Sequence, residues 1–379
     1  MLNEWLLWLS LGAVFYTYAG YPLLLALAAP RAREPSSAPQ HRPQVTVIVA
    51  AYNEERFIGD KVTTTLAGDY PADRLQLIVV SDGSDDRTEA IVAGFRDPRV
   101  QLLRTGRRGG KAAALNLARP HARGEVLVYS DANVMFRPDA LARLVEHFAD
   151  ARCGLVSGRV ELQSMDDEEP LGEGAYMRYE RFVCAKESAL HSMVGTDGGM
   201  FAVRAELVGQ VPEHLILDDF YIAMGVAAHG YRLRYEPRAQ AVEKVPARVS
   251  QEFRRKVRIA AGGFQVLGHM ALLRRPWRAP LFVAMFVSHK LLRWLSGFVL
   301  LTALAANVAL ADRSGYALLL ALQAGGYGAA LGAQLARPLR RHPLFYPFYY
   351  FAAINLACVV GFFRFLRQRQ PAAWQRVDR

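Results

Sequence analysis

Cysteine is scarce in this chain of 379 residues, which contains only Cys153, Cys184 and Cys358. Their number is odd and their spacing fits no metal-binding motif, so the sequence offers neither a disulfide framework nor a cysteine-ligated metal site. We expect three small, buried side chains in a reducing compartment. The sequence also lacks an internal repeat, which argues against a solenoid or propeller architecture.

Acidic residues are fewer than basic ones, 35 against 46, which gives a formal net charge of +11. Such an excess can indicate nucleic-acid binding. Much of the positive charge, however, lies beside long apolar runs, where attraction to anionic lipid headgroups is the simpler explanation. We therefore expect membrane lipids and no nucleic acid as partners.

Residues 5–29 are almost uncharged and exceed the roughly 20 residues that a helix needs to cross a bilayer. This run lacks the basic start and the cleavage site of a signal peptide, so it predicts a retained anchor. Three further apolar runs cover residues 280–310, 316–336 and 345–363. His289, Lys290 and Arg293 interrupt the first of them at a high cost for bilayer depth, so part of it is expected in the membrane interface.

The basic residues that flank the central segment predict its side of the membrane. By the positive-inside rule they place it in the cytoplasm of a multi-pass protein of the inner (plasma) membrane. The basic tail disagrees if all three C-terminal runs span, so the number of spans stays open. The predicted organisation is an N-terminal span (1–30), a linker (31–43), a cytoplasmic domain (44–250), an amphipathic interface helix (251–278), C-terminal spans (279–366) and a basic tail (367–379).

Short apolar runs at residues 45–51, 75–80, 100–104 and 126–129 alternate with helical patterns, which predicts an α/β fold with a mostly parallel central sheet. Ligands bind such sheets at the carboxyl ends of the strands. Polar clusters directly follow three of these strands: Asn53-Glu54, Asp82-Gly83 and Asp131-Ala132-Asn133. Each alone is typical of a turn. Together they indicate a binding site at one edge of the sheet.

Gly109-Gly110-Lys111 precedes a helical pattern and would suit a phosphate, although it lacks the spacing of a Walker loop. Asp131 and Asn133 flank one residue, so their oxygens can face a hard divalent cation; a metal-free capping turn is the alternative. Gly198 and Gly199 would let backbone amides approach a sugar or diphosphate, unless they only form a tight turn.

Asp218 and Asp219 stand at the start of another helical pattern. Local sequence favours helix capping, whereas an active site would use one carboxylate as a general base. A later helix, from residue 251, has apolar residues at helical spacing and is expected on the membrane surface. Its arginines would contact lipid headgroups or phosphate oxygens. The pattern at residues 176–190 suits either a surface helix of the same kind or packing against the sheet.

Taken together, six ordered motifs resemble those of the membrane-bound, inverting family 2 glycosyltransferases of the GT-A fold, over residues 44–263. They are Ala51-Tyr52-Asn53-Glu54-Glu55, Val80-Ser81-Asp82-Gly83-Ser84, Gly110-Lys111 with Asn116, Ser130-Asp131-Ala132-Asn133, Leu217-Asp218-Asp219 and Arg255-Lys256-Val257-Arg258-Ile259.

The resemblance implies a role for each candidate residue. The strand ends at Ala51, Asn53, Glu54 and Asp82 would bind the donor nucleoside. Lys111, Arg255 and Arg258 would bind its diphosphate. Asp131, with Asn133, would hold Mg²⁺ or Mn²⁺. Asp219 would be the general base, with Asp218, Gly198 and Gly199 in positioning roles.

Three positions depart from the family pattern. Asn133 and Asp218 stand where relatives have an aspartate and a glutamate. Ile259 replaces a tryptophan of the polymerising members, which removes a flat surface for stacking a sugar ring.

The resemblance implies a metal-dependent, inverting hexosyltransferase. It would use a nucleoside-diphosphate sugar and a glycan or lipid-linked acceptor in the synthesis of cell-surface or extracellular polysaccharide or glycoconjugate. The alternative is a non-catalytic regulatory membrane subunit that only binds the nucleotide sugar.

Overall fold

The computed structural model describes residues 1–30, 41–164, 173–245 and 249–367. Most of the predicted linker and all but the first residue of the predicted basic tail lie outside these ranges. Within the described residues, eight strands form one mixed sheet in the order β3-β2-β1-β4-β7-β6-β8-β5. The strands are β1 Val45–Ala51, β2 Leu75–Ser81, β3 Val100–Arg104, β4 Val126–Asp131, β5 Val134–Phe136, β6 Cys153–Ser164, β7 Met200–Arg204 and β8 Arg232–Val245.

Strands β1 to β4 are mutually parallel, as the alternation of strands and helices predicts. Every residue of β1 is buried, because helices cover both faces of a parallel sheet. Strand β7 runs antiparallel to β4, with Met200 opposite Ser130. The loop that leads into β7 therefore lies at the edge where β4 ends. Strands β6 and β8 are parallel to each other, and β5 pairs antiparallel with β8.

Helices surround this sheet on both sides. They are α1 Ile58–Leu66, α2 Thr88–Ala93, α3 Lys111–Ala118, α4 Ala140–Glu146, α5 Glu173–Leu190, α6 Asp218–Ala228, α7 Val249–Leu267 and α8 Ala271–Arg274. A further short helix, α9 Arg337–Arg341, packs against the C-terminal apolar helices instead. Apolar residues of α1 and α4 cover one face of the sheet. The other face packs against α3, α6 and α7 in a core that continues into the apolar helices after residue 280.

Among the described residues, four helices are long and apolar enough to cross a membrane by length and composition. We call them span 1 (Leu2–Ala28), span 2 (Pro280–Val308), span 3 (Ser314–Leu335) and span 4 (Tyr346–Leu366). Spans 1 and 2 each contain a single π-helical turn, at Tyr16–Gly20 and Val287–Leu291.

The charged residues of span 2 pair with α5. Arg293 NH1 lies 2.6 Å from Glu180 Oε2, and His289 lies between Glu180 and Glu187. Helix α5 also packs on span 1 through Val183. Neither interpretation of residues 176–190 included this contact between α5 and span 2. The carboxylates of α5 offset the cost of burying cations in span 2.

Helix α7, which the sequence predicts as an amphipathic interface helix, has an intramolecular partner. It packs along span 4, where a Cβ on Gly361 would lie 2.6 Å from Ala260 Cβ. The ring of Phe264 contacts Phe362 and Phe365 of the same span. Small residues allow such close approach of two helices in a membrane protein. The three cysteines are free thiols; Cys153 and Cys358 are buried as expected, whereas Cys184 is half-buried.

Candidate active site

The amino group of Lys111 lies at the centre of a group of carboxylates. Its Nζ is 2.7 Å from Asp131 Oδ1 at the end of β4 and 3.9 Å from Asp218 Oδ2 at the start of α6. It also donates to the carbonyl oxygen of Gly198 at 3.4 Å. Residues from three distant parts of the sequence thus meet at one edge of the sheet, as the rule for parallel strands predicts.

Asp82, after β2, holds the loop that delivers Lys111. Its Oδ1 accepts a hydrogen bond from Gly109 N at 2.8 Å and its Oδ2 one from Gly110 N at 2.7 Å. Gly110 has φ of +91°, which favours glycine at this position. Both oxygens of the Asp82 carboxylate therefore stabilise the loop before Lys111. Direct contact of Asp82 with a nucleoside stays a prediction.

The end of β1 forms the neighbouring wall. Ala51 is buried, and its carbonyl oxygen accepts a hydrogen bond from Asp82 N at 2.9 Å. Asn53 has φ of +55° and exchanges two hydrogen bonds with Asp85. The backbone N–H of Glu54 donates to Thr88 Oγ1 at 2.8 Å. These contacts fix the predicted donor-binding residues beside Asp82 without assigning their roles.

Asp218 and Asp219 begin α6, but Leu217 is the N-cap residue, so neither aspartate caps the helix. Asp218 is buried, and within the described part of the chain its Oδ2 accepts no hydrogen bond. Burial, reinforced by the charge of Asp218 and opposed by Lys111, raises the pKa of Asp219 to about 7. A carboxyl group tuned to neutral pH suits general base chemistry.

Gly198 lies against this carboxylate. A Cβ at Gly198 would be 2.6 Å from Asp219 Oδ2 and 3.1 Å from its Cγ, so no larger residue fits without moving Asp219. Gly199 contacts Asp197 instead, because its N–H donates to Asp197 Oδ1 at 3.0 Å. The structure therefore gives a steric reason for glycine at position 198, which the sequence did not show.

With Asp219 as the predicted general base, we expect Gly198→Ala to lower kcat about tenfold to a hundredfold, because displacing such a group by about 1 Å has effects of this size. Gly225→Ala is the matched control. Gly225 lies on the same helix as Asp219, and a Cβ there would meet nothing within 4 Å. Steady-state kinetics of both variants check this prediction. Equal kcat values would show that the carboxylate tolerates the methyl group.

Two arginines of α7 interact electrostatically with the carboxylates of this site. Burial lowers the pKa of Arg258, while its interactions with Asp218, Asp131 and Asp219 oppose that shift. Arg255 is more exposed and interacts with Asp197 and Glu243. The helix that packs on span 4 thus contributes positive charge to the same site.

Comparison with a family model identifies the family of this domain. Residues 46–208 match the family model described as glycosyl transferase family 2. Residues 46–208 form a glycosyl transferase family 2 domain. The expected family is confirmed by this match and by the similar proteins described next.

Two curated relatives are similar to the family 2 domain and to part of the flanking sequence. The β-monoglucosyldiacylglycerol synthase of Synechocystis sp. is 29% identical over 282 residues, which are 69% of this chain and 57% of that protein. The poly-β-1,6-N-acetyl-D-glucosamine synthase of Staphylococcus aureus is 28% identical over 253 residues, 64% of this chain and 60% of that protein. This chain therefore spans about three fifths of the length of these relatives.

A solved structure is similar over nearly the whole chain. The mannosyltransferase of Pyrobaculum calidifontis, in complex with GDP-mannose and Mn²⁺, matches with a TM-score of 0.74 and 26% identity. The match covers 96% of this chain and 99% of that one. It confirms the predicted GT-A fold, with the family 2 domain flanked by apolar helices.

A divalent cation would find one well-placed protein ligand in the family 2 domain. Asp131 keeps about a quarter of its side chain exposed, at 28%, and faces the site. Asn133 is buried, and its amide nitrogen donates to Glu243 Oε1 at 3.1 Å on β8. Among the described residues no three His, Cys, Asp or Glu side chains group around one point. Asp131 fits Mg²⁺ or Mn²⁺ if donor phosphate oxygens complete the coordination.

Lys61 is a structural residue of the family 2 domain that the sequence did not reveal. It is fully buried in α1, and its Nζ donates to Ser130 Oγ at 2.7 Å and to Val134 O at 2.6 Å. Ser130 Oγ in turn donates to Gly199 O at 2.9 Å. Lys61 thereby fixes both the turn after β4 and the loop before β7. A single lysine in a short helical pattern carries no signal of such burial.

Proposed function

We propose that the protein is an inverting glycosyltransferase that transfers a sugar from a nucleoside-diphosphate sugar to an acceptor hydroxyl. The half-buried Asp219 carboxylate carries this proposal. It has a raised pKa, lies against Gly198, and interacts with Lys111 next to Asp131. A protein that only binds a nucleotide sugar has no need for such a base, so catalysis is favoured over the regulatory subunit.

The reaction is a single displacement. Asp219 removes the proton of the acceptor hydroxyl as its oxygen forms a bond to the anomeric carbon of the donor sugar. The bond between that carbon and the diphosphate oxygen breaks at the same time, and its electrons leave with the nucleoside diphosphate. Attack from the face opposite the leaving group inverts the configuration at the anomeric carbon.

Positive groups balance the charge of the leaving diphosphate. Lys111 reaches it from the start of α3, and Arg258 and Arg255 reach it from α7. Guanidinium groups match phosphate oxygens in shape and remain charged at all relevant pH values. A divalent cation held by Asp131 would add Lewis-acid stabilisation of the diphosphate.

The position of α6 supports a membrane-associated acceptor. Phe220, next to Asp219, packs against Phe286 and Trp294 of span 2, with ring centroids 6.3 and 5.8 Å apart. A hydroxyl brought to Asp219 therefore reacts beside the spans. This placement supports a lipid-linked acceptor or a glycan that grows at the membrane, in keeping with the names of the two curated relatives.

Charge supports a location at the cytoplasmic side of the inner (plasma) membrane. Arg274, Arg275 and Arg278 lie directly before span 2, beside the exposed ring of Trp277. Basic residues are typical of the cytoplasmic side of a span, and tryptophan is typical of either membrane interface. In this proposal residues 44–250 are catalytic, residues 251–278 join them to the spans, and the product serves cell-surface or extracellular polysaccharide or glycoconjugate synthesis.

The test uses the full chain purified in nanodiscs with Mg²⁺ or Mn²⁺. A panel of nucleoside-diphosphate sugars, including GDP-mannose, is incubated with membrane lipid extract, and released nucleoside diphosphate is measured. We expect release with one donor, and a product whose anomeric configuration, determined by NMR, is opposite to that of the donor. Retention of configuration would exclude the single displacement, and binding without any release would favour a regulatory subunit.

A further inference from the structure

The spans contain a buried polar cluster that the displacement chemistry does not use. Glu187, near the end of α5, is fully buried, and its Oε1 accepts a hydrogen bond from the Tyr21 hydroxyl at 2.6 Å. His289 is also fully buried, and its Nδ1 lies 2.9 Å from the same oxygen. Tyr21 belongs to span 1 and His289 to span 2. One carboxylate of α5 therefore contacts both spans.

The second oxygen of Glu187 faces the active-site loop. Its Oε2 accepts a hydrogen bond from the backbone N–H of Val194 at 3.0 Å. Val194 directly precedes the loop of residues 195–199, which contains Gly198 against the Asp219 carboxylate. The carboxylate of Glu187 thus lies between the spans and the loop that contacts the proposed base.

Glu180 completes the cluster on the side of span 2. It lies 3.1 Å from His289 Nε2 and 2.6 Å from Arg293 NH1, and it also pairs with Lys290. Burial alone would raise the pKa of Glu180, but these three residues hold it well below its ordinary value. A buried group of charges that is balanced in this way fixes one arrangement of its helices, because breaking any pair is costly.

Both spans are irregular at this cluster. Tyr21 directly follows the π-helical turn of span 1, and His289 lies within that of span 2. Such turns occur frequently at functional sites. Ionisable side chains in membrane spans are costly to bury, and they commonly belong to functional sites.

We propose that Glu187 is a positioning residue that couples the packing of spans 1 and 2 to the placement of residues 195–199 beside Asp219. This inference rests on the proposed function for the role of Asp219. A displacement of either span moves the Glu187 carboxylate, and Val194 follows because its N–H is bonded to that carboxylate. Gly198 then shifts against the base, which changes catalysis without altering the donor site at Asp82.

The test compares Tyr21→Phe with the wild-type chain in nanodiscs of the same lipid. The variant keeps the aromatic ring and removes only the hydrogen bond to Glu187. We expect about tenfold lower kcat, a donor KM within about twofold, and about tenfold faster amide hydrogen exchange at residues 195–199. Glu187→Gln, of the same shape, should change the same quantities at least as much, and it replaces Tyr21→Phe if that variant does not fold.

Tyr18→Phe is the matched control. Tyr18 lies in the π-helical turn of span 1 and contacts Ser296 and Asn355 of spans 2 and 4, so it also links spans. We expect its kcat and exchange rates to stay within about twofold of wild type, since its hydroxyl contacts no residue of α5 in the described structure. Equal effects of Tyr18→Phe and Tyr21→Phe would overturn the coupling, as would unchanged kcat or unchanged exchange in Tyr21→Phe.

Hydrogen exchange needs no turnover, so it decides this inference separately from the proposed function. A wild-type chain without transferase activity would contradict the proposed function. Even for such an inactive chain, faster exchange at residues 195–199 in Tyr21→Phe, and not in Tyr18→Phe, would support the link through Glu187.

Discussion

Asp219→Asn is expected to lower kcat about a thousandfold, within the range that general base catalysis contributes. The amide has the shape of the carboxylate but cannot accept the acceptor proton. Donor KM should change little, because the proposed role of Asp219 is to deprotonate the acceptor hydroxyl and not to bind the donor. Transfer rates and donor binding of the purified variant check this result.

The pH dependence of the wild-type enzyme gives the same prediction a second readout. Only the deprotonated form of Asp219 is a base, and burial raises its pKa to about 7. The kcat/KM should therefore rise with pH below about 7 and level off above it. Asp60→Asn is the control, since Asp60 also lies in the first turn of a helix but is exposed on α1. If Asp219→Asn retained the wild-type rate and pH profile, another group would be the base.

Lys111→Met is expected to reduce both catalysis and stability. The variant leaves Asp131 and Asp218 without the ammonium group that lies between them. Breaking a buried ion pair costs several kcal/mol, and we expect about 3 kcal/mol of unfolding free energy, at the low end, because Asp131 keeps contact with water. We also expect kcat/KM to fall about a hundredfold or more, because a positive group at the leaving diphosphate is lost.

Lys111→Arg separates charge from shape in this experiment. It keeps the positive charge and should recover most of the stability, while its larger planar group places the charge less well for turnover. Thermal unfolding and kcat/KM of the two variants are the measurements. Equal stability of Lys111→Met and wild type would show that the carboxylates do not depend on the ammonium group.

The sequence predicts the first four strands well, for a simple physical reason. Strands β1 to β4 are parallel and buried, so they appear as apolar runs, and their carboxyl ends share one edge. The polar residues after each run, such as Asp82 and Asp131, are therefore placed together without knowledge of tertiary contacts. The individual roles of these residues stay predictions.

The other half of the site depends on contacts that no local pattern contains. Lys61 is buried only because the turn after β4 offers it two oxygen acceptors. Gly198 is required only because α6 brings Asp219 within contact distance. The pattern of α5 suggested two possible surroundings, but not that Glu180 and Glu187 would pair with basic side chains inside an apolar run. Such pairings join residues about a hundred positions apart, and periodicity within one helix cannot reveal them.

The contact of Phe220 with span 2 has a practical consequence for producing the protein. A fragment cut before Pro280 would present the rings of Phe220 and Phe264 to water, together with the other apolar residues that pack on Trp294. Exposed apolar surface of this kind promotes aggregation. Expression screens that trim the chain to its polar domain would therefore select against the native arrangement of α6. Retaining span 2 in detergent or nanodiscs preserves the surface against which α6 packs.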